Sequence, residues 1–214
     1  TKRAAEKIIQ SYNANSKTTF MAVRFGNVLG SSGSAIPTFQ KQINEGGPLT
    51  ITHPEMTRYF MSIQEASQLI LQCGALGGDG EIFLLEMGQP IRIVQMAKDL
   101  IRLSGFEPDI DIPIVFTGLR PGEKLYEELQ LLNEKKVSTS HRKIMILKDK
   151  KLHMPWTILK PSIKELLLAA KNLDSEKIQM LLHQILPTYR PRTFGPHQEL
   201  IDSTPGVVVN KAEA

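Results

Sequence analysis

The hydrophobic positions along the chain alternate between helical and strand-like spacing. Near the start, apolar residues recur every three or four positions, at Ala4, Ala5, Ile8, Ile9 and Tyr12, which predicts an amphipathic helix over about residues 1–15. A β-branched and aromatic run over residues 18–25 then predicts a strand. The two patterns continue to alternate. They predict helices over about 36–44, 63–73, 93–104 and 120–132, and strands over 49–52, 81–86 and 112–116.

This alternation, with short loops between the elements, predicts a layered α/β domain over residues 1–150. After about Lys151 the pattern changes, because two helical stretches over 156–170 and 176–186 follow each other with no strand between them. We therefore expect a helical extension over 151–188. The proline-rich remainder, 189–214, is expected to be a flexible tail.

Composition and charge narrow the class of protein. The 214 residues are 41% hydrophobic, which supports a real core and excludes disorder for most of the chain. The formal net charge of +4 is too small and too evenly spread to indicate nucleic-acid binding. A single Cys excludes a disulfide framework and fits a reducing compartment. No apolar run reaches the ~18–20 residues of a membrane-spanning helix.

A Gly- and Ser-rich loop over residues 26–34 joins the strand 18–25 to the next helix. Backbone N–H groups at such a junction can receive a phosphate. The spacing of Gly26, Gly30 and Gly33 differs from the G-x-G-x-x-G fingerprint of dinucleotide sites, and no acidic residue ends a second strand about twenty residues on. The simpler interpretation is a turn whose glycines supply positive φ angles. The residues alone leave both interpretations open.

Three arginines at element ends or loops are candidate anion ligands, namely Arg24, Arg58 and Arg120. A guanidinium suits bidentate capture of phosphate or carboxylate, although a single arginine is more often a solvated or ion-paired surface residue. Glu123 follows Pro121-Gly122 and fits the first turn of the predicted helix 120–132, where its charge favours the helix dipole.

The remaining reactive residue types indicate neither a metal site nor a nucleophile. No two of the five histidines have metal-ligand spacing. Cys73 falls on the apolar face of its helix with Leu69 and Ile70, which predicts a core thiol. There is no G-x-S-x-G motif. The residues therefore predict an α/β domain with an anion-binding edge, and they do not define a reaction.

Three motifs in a fixed order resemble a known family. They are VRFGNVLGS over residues 23–31, HPEMTRYFM over 53–61 and RPGEKL over 120–125. Together they resemble the CapD-like polysaccharide biosynthesis proteins, nucleotide-sugar 4,6-dehydratases of the extended short-chain dehydrogenase/reductase superfamily. The resemblance covers about residues 1–150. The segment after Lys151 resembles the C-terminal extension of the larger, membrane-anchored members.

The resemblance implies a fold and a domain division. The fold class is α/β, namely the C-terminal, substrate-binding part of an extended short-chain dehydrogenase/reductase Rossmann-type fold, followed by a helical extension. Residues 1–150 would be the C-terminal portion of the dehydratase domain. The Gly-rich cofactor loop and most of the Rossmann sheet would lie upstream. The chain, which opens on Thr1 inside a helical pattern, is accordingly expected to be a piece of something longer.

The resemblance also implies a catalytic and cofactor-binding role for Lys2. In this superfamily a Tyr-x-x-x-Lys pair lies on the helix one strand before the Arg-Phe-Gly-Asn block, and Met often replaces the Tyr in larger CapD-like proteins. Lys2 matches the lysine of that pair, and its partner would sit four residues earlier. Lys2 would hydrogen-bond the nicotinamide ribose of NAD(P) and keep nearby acid–base groups poised.

Four further residues are implied as substrate ligands by the same motifs. Asn27 would contact the sugar diphosphate, and Arg58 and Arg120 would clamp it. Glu123 would accept hydrogen bonds from the uridine ribose hydroxyls. The loop over residues 30–37 would wrap the nucleotide.

The implied reaction is the conversion of a UDP-N-acetylglucosamine-type substrate in capsule or O-antigen synthesis. The family oxidises C4 of the hexose by hydride transfer to tightly bound NAD(P), eliminates water across C5 and C6, and returns the hydride to C6. A nucleotide-sugar 4-epimerase shares the oxidation step, and a non-catalytic UDP-sugar-binding remnant would share only the binding. The implied setting is a cytoplasmic homo-oligomer, whose parent protein is anchored to the inner face of the cell membrane.

Overall fold

The structure, a computed structural model, describes residues 1–78, 80–149 and 154–189. These residues form a mixed α/β arrangement. The helices are α1 (Lys2–Asn13), α2 (Ala35–Asn44), α3 (Ile63–Leu76), α4 (Ile93–Leu103), α5 (Trp156–Lys171) and α6 (Ser175–Ile185). The strands are β1 (Ala22–Arg24), β2 (Asn27–Val28), β3 (Leu49–Ile51), β4 (Thr57–Arg58), β5 (Phe60–Met61), β6 (Ile82–Leu85), β7 (Ile91–Arg92), β8 (Ile114–Phe116), β9 (Glu134–Ser138) and β10 (Ile144–Asp149).

The main sheet has the order β1-β6-β10-β9. β1 and β6 are parallel, while β10 runs antiparallel to both of its neighbours. Three two-stranded pairs flank it: β2 with β5 and β3 with β8, both parallel, and β4 with β7, antiparallel. Because β1 and β6 are parallel, they end side by side, and we call that end of the sheet the carboxyl edge. Ligand sites of α/β sheets form at this end of the strands.

β6 is the buried centre of the sheet, and each of its four residues is at most 3% exposed. Side chains alternate between the two faces of a strand. Phe83 and Leu85 pack against the apolar side of α3, whereas Ile82 and Leu84 pack on the opposite face with Leu147. The apolar run predicted as the strand 81–86 is therefore confirmed, and its two faces have separate partners.

The helices α5 and α6 pack against α1. A cluster of Ala4, Leu159, Ile185 and Leu186 forms the centre of this contact. Two further contacts reinforce it: the Ser11 hydroxyl donates a 2.7 Å hydrogen bond to the carbonyl of Met154, and the rings of Tyr12 and Trp156 meet edge to face at 4.9 Å. The helical extension thus covers the apolar face of the first helix. The boundaries that separate residues 1–150 from an extension stay a prediction.

Most elements predicted from hydrophobic spacing are confirmed, although the predicted strand 18–25 is limited to β1. The helix predicted over 120–132 is wrong. There the chain forms a turn at residues 120–123 and then irregular structure, in which the carbonyls of Lys124 and Leu125 accept hydrogen bonds from Arg58. The hairpin β9–β10 was not predicted. Residues 190–214 of the predicted tail lie outside the described residues.

In the described ranges, no helix is long and apolar enough to cross a membrane. The same ranges hold no group of three or more His, Cys, Asp or Glu side chains that could bind a metal ion. Cys73 is fully buried in the core under α3, and burial raises the pKa of its thiol above the ordinary value. The prediction of a core thiol is confirmed.

Candidate functional site

The carboxyl edge is where the chain leaves β1 and meets the segment before β5. A Cβ atom on Gly26 would lie 2.7 Å from the Cβ and 2.8 Å from the carbonyl oxygen of Tyr59. Only glycine fits between these two backbones. On the other side the N–H of Gly26 lies 3.4 Å from the sulfur of Met87, which follows β6. Gly26 therefore allows the ends of β1 and β6 to meet the segment that leads into β5.

Asn27 follows directly and is fixed by backbone pairing. Its N–H donates a 2.8 Å hydrogen bond to the carbonyl of Tyr59, and it pairs with Phe60 in the parallel β2–β5 ladder. Asn27 is thus hydrogen-bonded to Tyr59, the residue directly after Arg58.

Arg58 joins this edge to the loop that carries the third motif. Its Nη1 donates to the carbonyls of Thr57 and Leu125 at 2.7 and 3.0 Å, and its Nη2 donates to the carbonyl of Lys124 at 2.7 Å. A guanidinium has five N–H donors. Two of them therefore have no acceptor among the described residues. The arginine has a structural role here and still retains hydrogen-bonding capacity.

Arg120 and Glu123 close a tight turn beside Arg58. The N–H of Glu123 donates to the carbonyl of Arg120 at 2.9 Å, and the N–H of Arg120 donates to the Glu123 carboxylate at 3.1 Å. Pro121 and Gly122, with φ of 77° at the glycine, occupy the positions a type II turn requires. The Arg120 side chain is 78% exposed, and its Nη2 lies 3.5 Å from Glu123. An exposed cation and a largely buried carboxylate thus lie next to each other.

Arg24 is not available to a ligand, because two carboxylates bind it. Its Nε and Nη2 donate to the two oxygens of Glu6 at 2.6 and 2.8 Å. Its Nη1 and Nη2 donate to the two oxygens of Glu134, each at 2.8 Å. Arg3 adds a 2.7 Å ion pair to Glu134. We call Arg3, Glu6, Arg24 and Glu134 the ion cluster. Arg24 is therefore an ion-paired residue and not an anion ligand.

Two members of the ion cluster, Glu134 and Arg24, have pKa values that are shifted in opposite directions. Burial favours the protonated form of Glu134, but hydrogen bonds from Arg24 and from the N–H of Leu131, with the charges of Arg24 and Arg3, outweigh it, so the pKa of Glu134 lies below its ordinary value. Burial alone would lower the pKa of Arg24, and the carboxylates of Glu6 and Glu134 raise it above its ordinary value instead. Both shifts favour the charged forms of Glu134 and Arg24.

Lys2 is the first residue of α1 and is exposed. It lies four residues before Glu6, which places both on the same side of the helix. Glu6 binds Arg24 at the end of β1, three residues before Asn27. The structure therefore connects Lys2 to the carboxyl edge through α1 and the ion cluster. Asn27 pairs with the strand that directly follows Arg58, and Arg58 hydrogen-bonds the carbonyls of Lys124 and Leu125, which come directly after the 120–123 turn.

The Gly-rich loop over residues 26–34 uses its glycines in two ways. Gly30 and Gly33 have φ of 72° and 71°, which confirms the expectation of positive φ angles, whereas Gly26 serves the close approach described above. Ser34 is the N-cap residue of α2, but its side chain makes no capping hydrogen bond. Its hydroxyl oxygen is buried and has no partner in the described part of the chain.

Sequence reasoning missed Arg3, Glu6 and Glu134 as functional neighbours. No local pattern identifies the pairing, because Glu134 lies 110 residues from Arg24. The single available signal was the placement of Glu6 one turn after Lys2 on an amphipathic helix.

Comparison with known proteins identifies the family. The family model described as "Polysaccharide biosynthesis protein" matches residues 1–149, which is more than half of the chain. The chain belongs to this polysaccharide biosynthesis family. All three motifs fall within the matched range, and they correspond to the end of β1 with its loop, to β4–β5 and to the turn at residues 120–123.

Relatives of this polysaccharide biosynthesis protein are longer than the chain. The chain is 66% identical over 135 residues to the capsular polysaccharide biosynthesis protein CapD of Staphylococcus aureus. This match covers 63% of the chain and 22% of CapD. The chain is also 53% identical over 165 residues to the probable polysaccharide biosynthesis protein EpsC of Bacillus subtilis (strain 168). This match covers 77% of the chain and 27% of EpsC. The chain thus spans about a quarter of these relatives.

A solved structure also resembles this family member. The X-ray structure of Pen from Bacillus thuringiensis matches with a TM-score of 0.59 and 34% identity, over 68% of the chain and 46% of that structure. The mixed α/β arrangement described above is therefore found in an experimental relative.

Proposed function

We propose that this chain is the substrate-binding part of an NAD(P)-dependent nucleotide-sugar 4,6-dehydratase that acts on a UDP-N-acetylglucosamine-type substrate in capsular or O-antigen polysaccharide synthesis. The observation that carries the proposal is the meeting of three separate segments at the carboxyl edge. They hold Asn27, Arg58 and the Arg120–Glu123 turn. Membership in the polysaccharide biosynthesis family supports the same assignment.

The proposed diphosphate ligands are Arg58 and Arg120. Arg58 is anchored by three hydrogen bonds and keeps two N–H groups for phosphate oxygens. Arg120 is mobile enough to move onto a bound ligand, since its side chain is largely exposed. An anchored guanidinium fixes the register of the diphosphate, and a mobile one closes over it. Asn27 would contribute its amide from the adjacent strand.

Two further features suit the nucleotide. The Glu123 carboxylate is only 17% exposed and is oriented by the backbone of its own turn, so it would accept hydrogen bonds from ribose hydroxyls without reorganising. The loop over residues 30–37 would wrap the nucleotide. The buried, unpaired hydroxyl of Ser34 in that loop supports this, since a buried polar group without a partner is costly and a ligand oxygen could satisfy it.

Among the described residues, the fit to NAD(P) rests on Lys2. The exposed ammonium at the start of α1 suits a hydrogen bond to a ribose hydroxyl, and its charge lowers the pKa of neighbouring acid–base groups. The loop over residues 26–34 lacks the spacing of a dinucleotide site. NAD(P), when bound, supplies the acceptor and the donor of the hydride. The ion cluster would hold α1, and with it Lys2, against the end of β1.

Product analysis of the whole protein tests the proposed reaction. Supplied with NADP and UDP-N-acetylglucosamine, it should release a 4-keto-6-deoxy sugar nucleotide, detected by mass spectrometry as the loss of one water. A product of unchanged mass that is inverted at C4 and retains its C6 hydroxyl would show an epimerase instead. Binding of UDP with no conversion would favour the binding remnant. Residues 1–214 alone should bind UDP and show little or no turnover.

Arg120→Ala should weaken the binding of UDP to the chain by about 2 to 3 kcal/mol, which is the loss expected for a charge-assisted pair. Titration calorimetry measures this directly. Lys124→Ala is the matched control, because Lys124 lies on the same loop but its ammonium pairs with Glu128 on the surface. Equal affinities of the wild type and Arg120→Ala, with the fold intact by circular dichroism, would remove Arg120 from the site.

A further inference from the structure

An open surface cavity of about 320 Å³ lies between α3 and the turn that joins β9 to β10, and its Gln68, Gln72 and Arg142 side chains are exposed. One stripe of α3 forms one wall and residues 141–143 form the other. The turn lies at the carboxyl edge, since the N–H of Glu86 donates to the carbonyl of Lys143 at 2.9 Å. None of the residues assigned to the proposed nucleotide-sugar site lines this cavity. Its volume is near the lower end of those that hold small ligands.

Hydrogen bonds within the turn hold it together without a ligand. The Thr139 hydroxyl donates to the carbonyl of Ile144 at 2.7 Å and accepts from the N–H of His141 at 3.1 Å. The Nδ1 of His141 accepts from the N–H of Lys143 at 3.2 Å. An Nδ1 that accepts leaves the proton on Nε2 in the neutral ring. The imidazole therefore presents a fixed donor that the turn itself does not use.

The charges around the cavity favour an anion. Glu65 and Lys143 form an ion pair across its wall and neutralise each other. Arg142 adds one positive charge, and its guanidinium makes no hydrogen bond or ion pair with the described residues. An arginine with an uncommitted planar fork suits bidentate binding of a phosphoryl or carboxylate group.

The helix wall adds groups that suit hydroxyls. Gln68 and Gln72 are one turn apart on α3, and within the described chain neither side-chain amide makes a hydrogen bond. Each amide offers both a donor and an acceptor, as a sugar hydroxyl requires.

We propose that this cavity is a second ligand site, which binds a small phosphoryl compound bearing hydroxyl groups, of the size of a hexose phosphate. Arg142 and the Nε2–H of His141 would bind the phosphoryl oxygens, and Gln68 and Gln72 would bind the hydroxyls. The inference goes beyond the proposed function, since it concerns other residues and does not depend on the dehydratase reaction.

Calorimetric titration of the chain with glucose 1-phosphate, inorganic phosphate and glucose tests the proposal. Glucose 1-phosphate should bind most tightly and glucose should not bind. Arg142→Gln should weaken glucose 1-phosphate binding about tenfold or more, the loss of one charge-assisted contact. The control Lys148→Gln, an exposed lysine of β10 on the same hairpin but outside the cavity, should leave the affinity unchanged. The double variant Gln68→Ala/Gln72→Ala should make glucose 1-phosphate bind no better than phosphate.

Three results would overturn the proposal. One is the absence of saturable binding of glucose 1-phosphate at millimolar concentrations. The second is binding that survives Arg142→Gln but is lost in Arg120→Ala, which would place the anion at the carboxyl-edge site instead. The third is equal affinity of the wild type for phosphate and glucose 1-phosphate, which would refute the recognition of hydroxyls. Failure of UDP to bind would count against the proposed function and leave this test unaffected.

Discussion

Glu134→Gln should lower the free energy of unfolding by about 3 to 5 kcal/mol at neutral pH, the usual cost of removing one partner of a buried ion pair. The side chain of Glu134 is only 1% exposed, and it compensates both Arg24 and Arg3. In the variant, two guanidinium groups share the single carboxylate of Glu6. Denaturant unfolding followed by circular dichroism measures the change.

The matched control is Glu128→Gln. Glu128 also pairs with a cation, Lys124, but both side chains are more than half exposed. Ion pairs of this kind contribute at most about 1 kcal/mol. If the two variants lost similar free energies of unfolding, burial would not be the reason that the ion cluster stabilises the fold.

The same variant should show a definite pH dependence. The pKa of Glu134 in the folded chain lies below its ordinary value of 4.5, because its hydrogen bonds and the charges of Arg24 and Arg3 outweigh the effect of burial. A carboxylate with a depressed pKa stabilises the fold above its unfolded-state pKa, and this contribution is lost as the pH falls through the folded-state pKa. The stability difference between wild type and Glu134→Gln should therefore shrink as the pH falls below about 4.5. A difference that grows on acidification would contradict the assignment.

Leu159→Ala should lower the free energy of unfolding by about 2 to 5 kcal/mol, the range for a leucine truncated in a close-packed core. Leu159 is completely buried between α1 and α6. Leu168→Ala, on the same helix but 56% exposed, is the control and should change stability by less than about 0.5 kcal/mol.

Trp156, the single tryptophan of the chain, gives this test a local readout, because its ring contacts Tyr12 of α1. If the extension and the α/β part unfold together, tryptophan fluorescence and circular dichroism should give coincident transitions in the wild type and in Leu159→Ala. A fluorescence transition at clearly lower denaturant than the circular dichroism transition would show instead that residues 154–189 are a separate unit.

Hydrophobic spacing predicts those parts of the fold that bury one continuous face. β6 is apolar on both sides and α4 has a regular stripe, and both lie where the spacing predicted them. The helix predicted over residues 120–132 was wrong for a different reason. Its apolar residues have helical spacing, but its backbone carbonyls bind Arg58, more than sixty residues earlier, a tertiary contact that no local pattern indicates. The hairpin β9–β10 was missed because lysines on an edge strand obscure its alternation.

In the candidate site, too, the sequence predicted what depends on local motifs and not what depends on distant partners. Recognised motifs indicated Asn27, Arg58, Arg120 and Glu123, and the structure connects the segments that carry them, although their ligand roles remain predictions. Residue type alone could not separate Arg24 from Arg58. Both are arginines at strand ends, and only distant partners make the first an ion-paired structural residue and leave the second with uncommitted donors.

The covering of α1 by the extension has a consequence for synthesis on the ribosome. α1 is complete by residue 13, whereas the helix that covers it begins at Trp156, about 140 residues later. At roughly 5 to 20 residues per second, the apolar side of α1 waits about 7 to 30 s for its partner. During that interval the nascent chain presents Ala4 and Ile8 uncovered by α5 and α6, so this apolar surface stays exposed to solvent until the last helices are made.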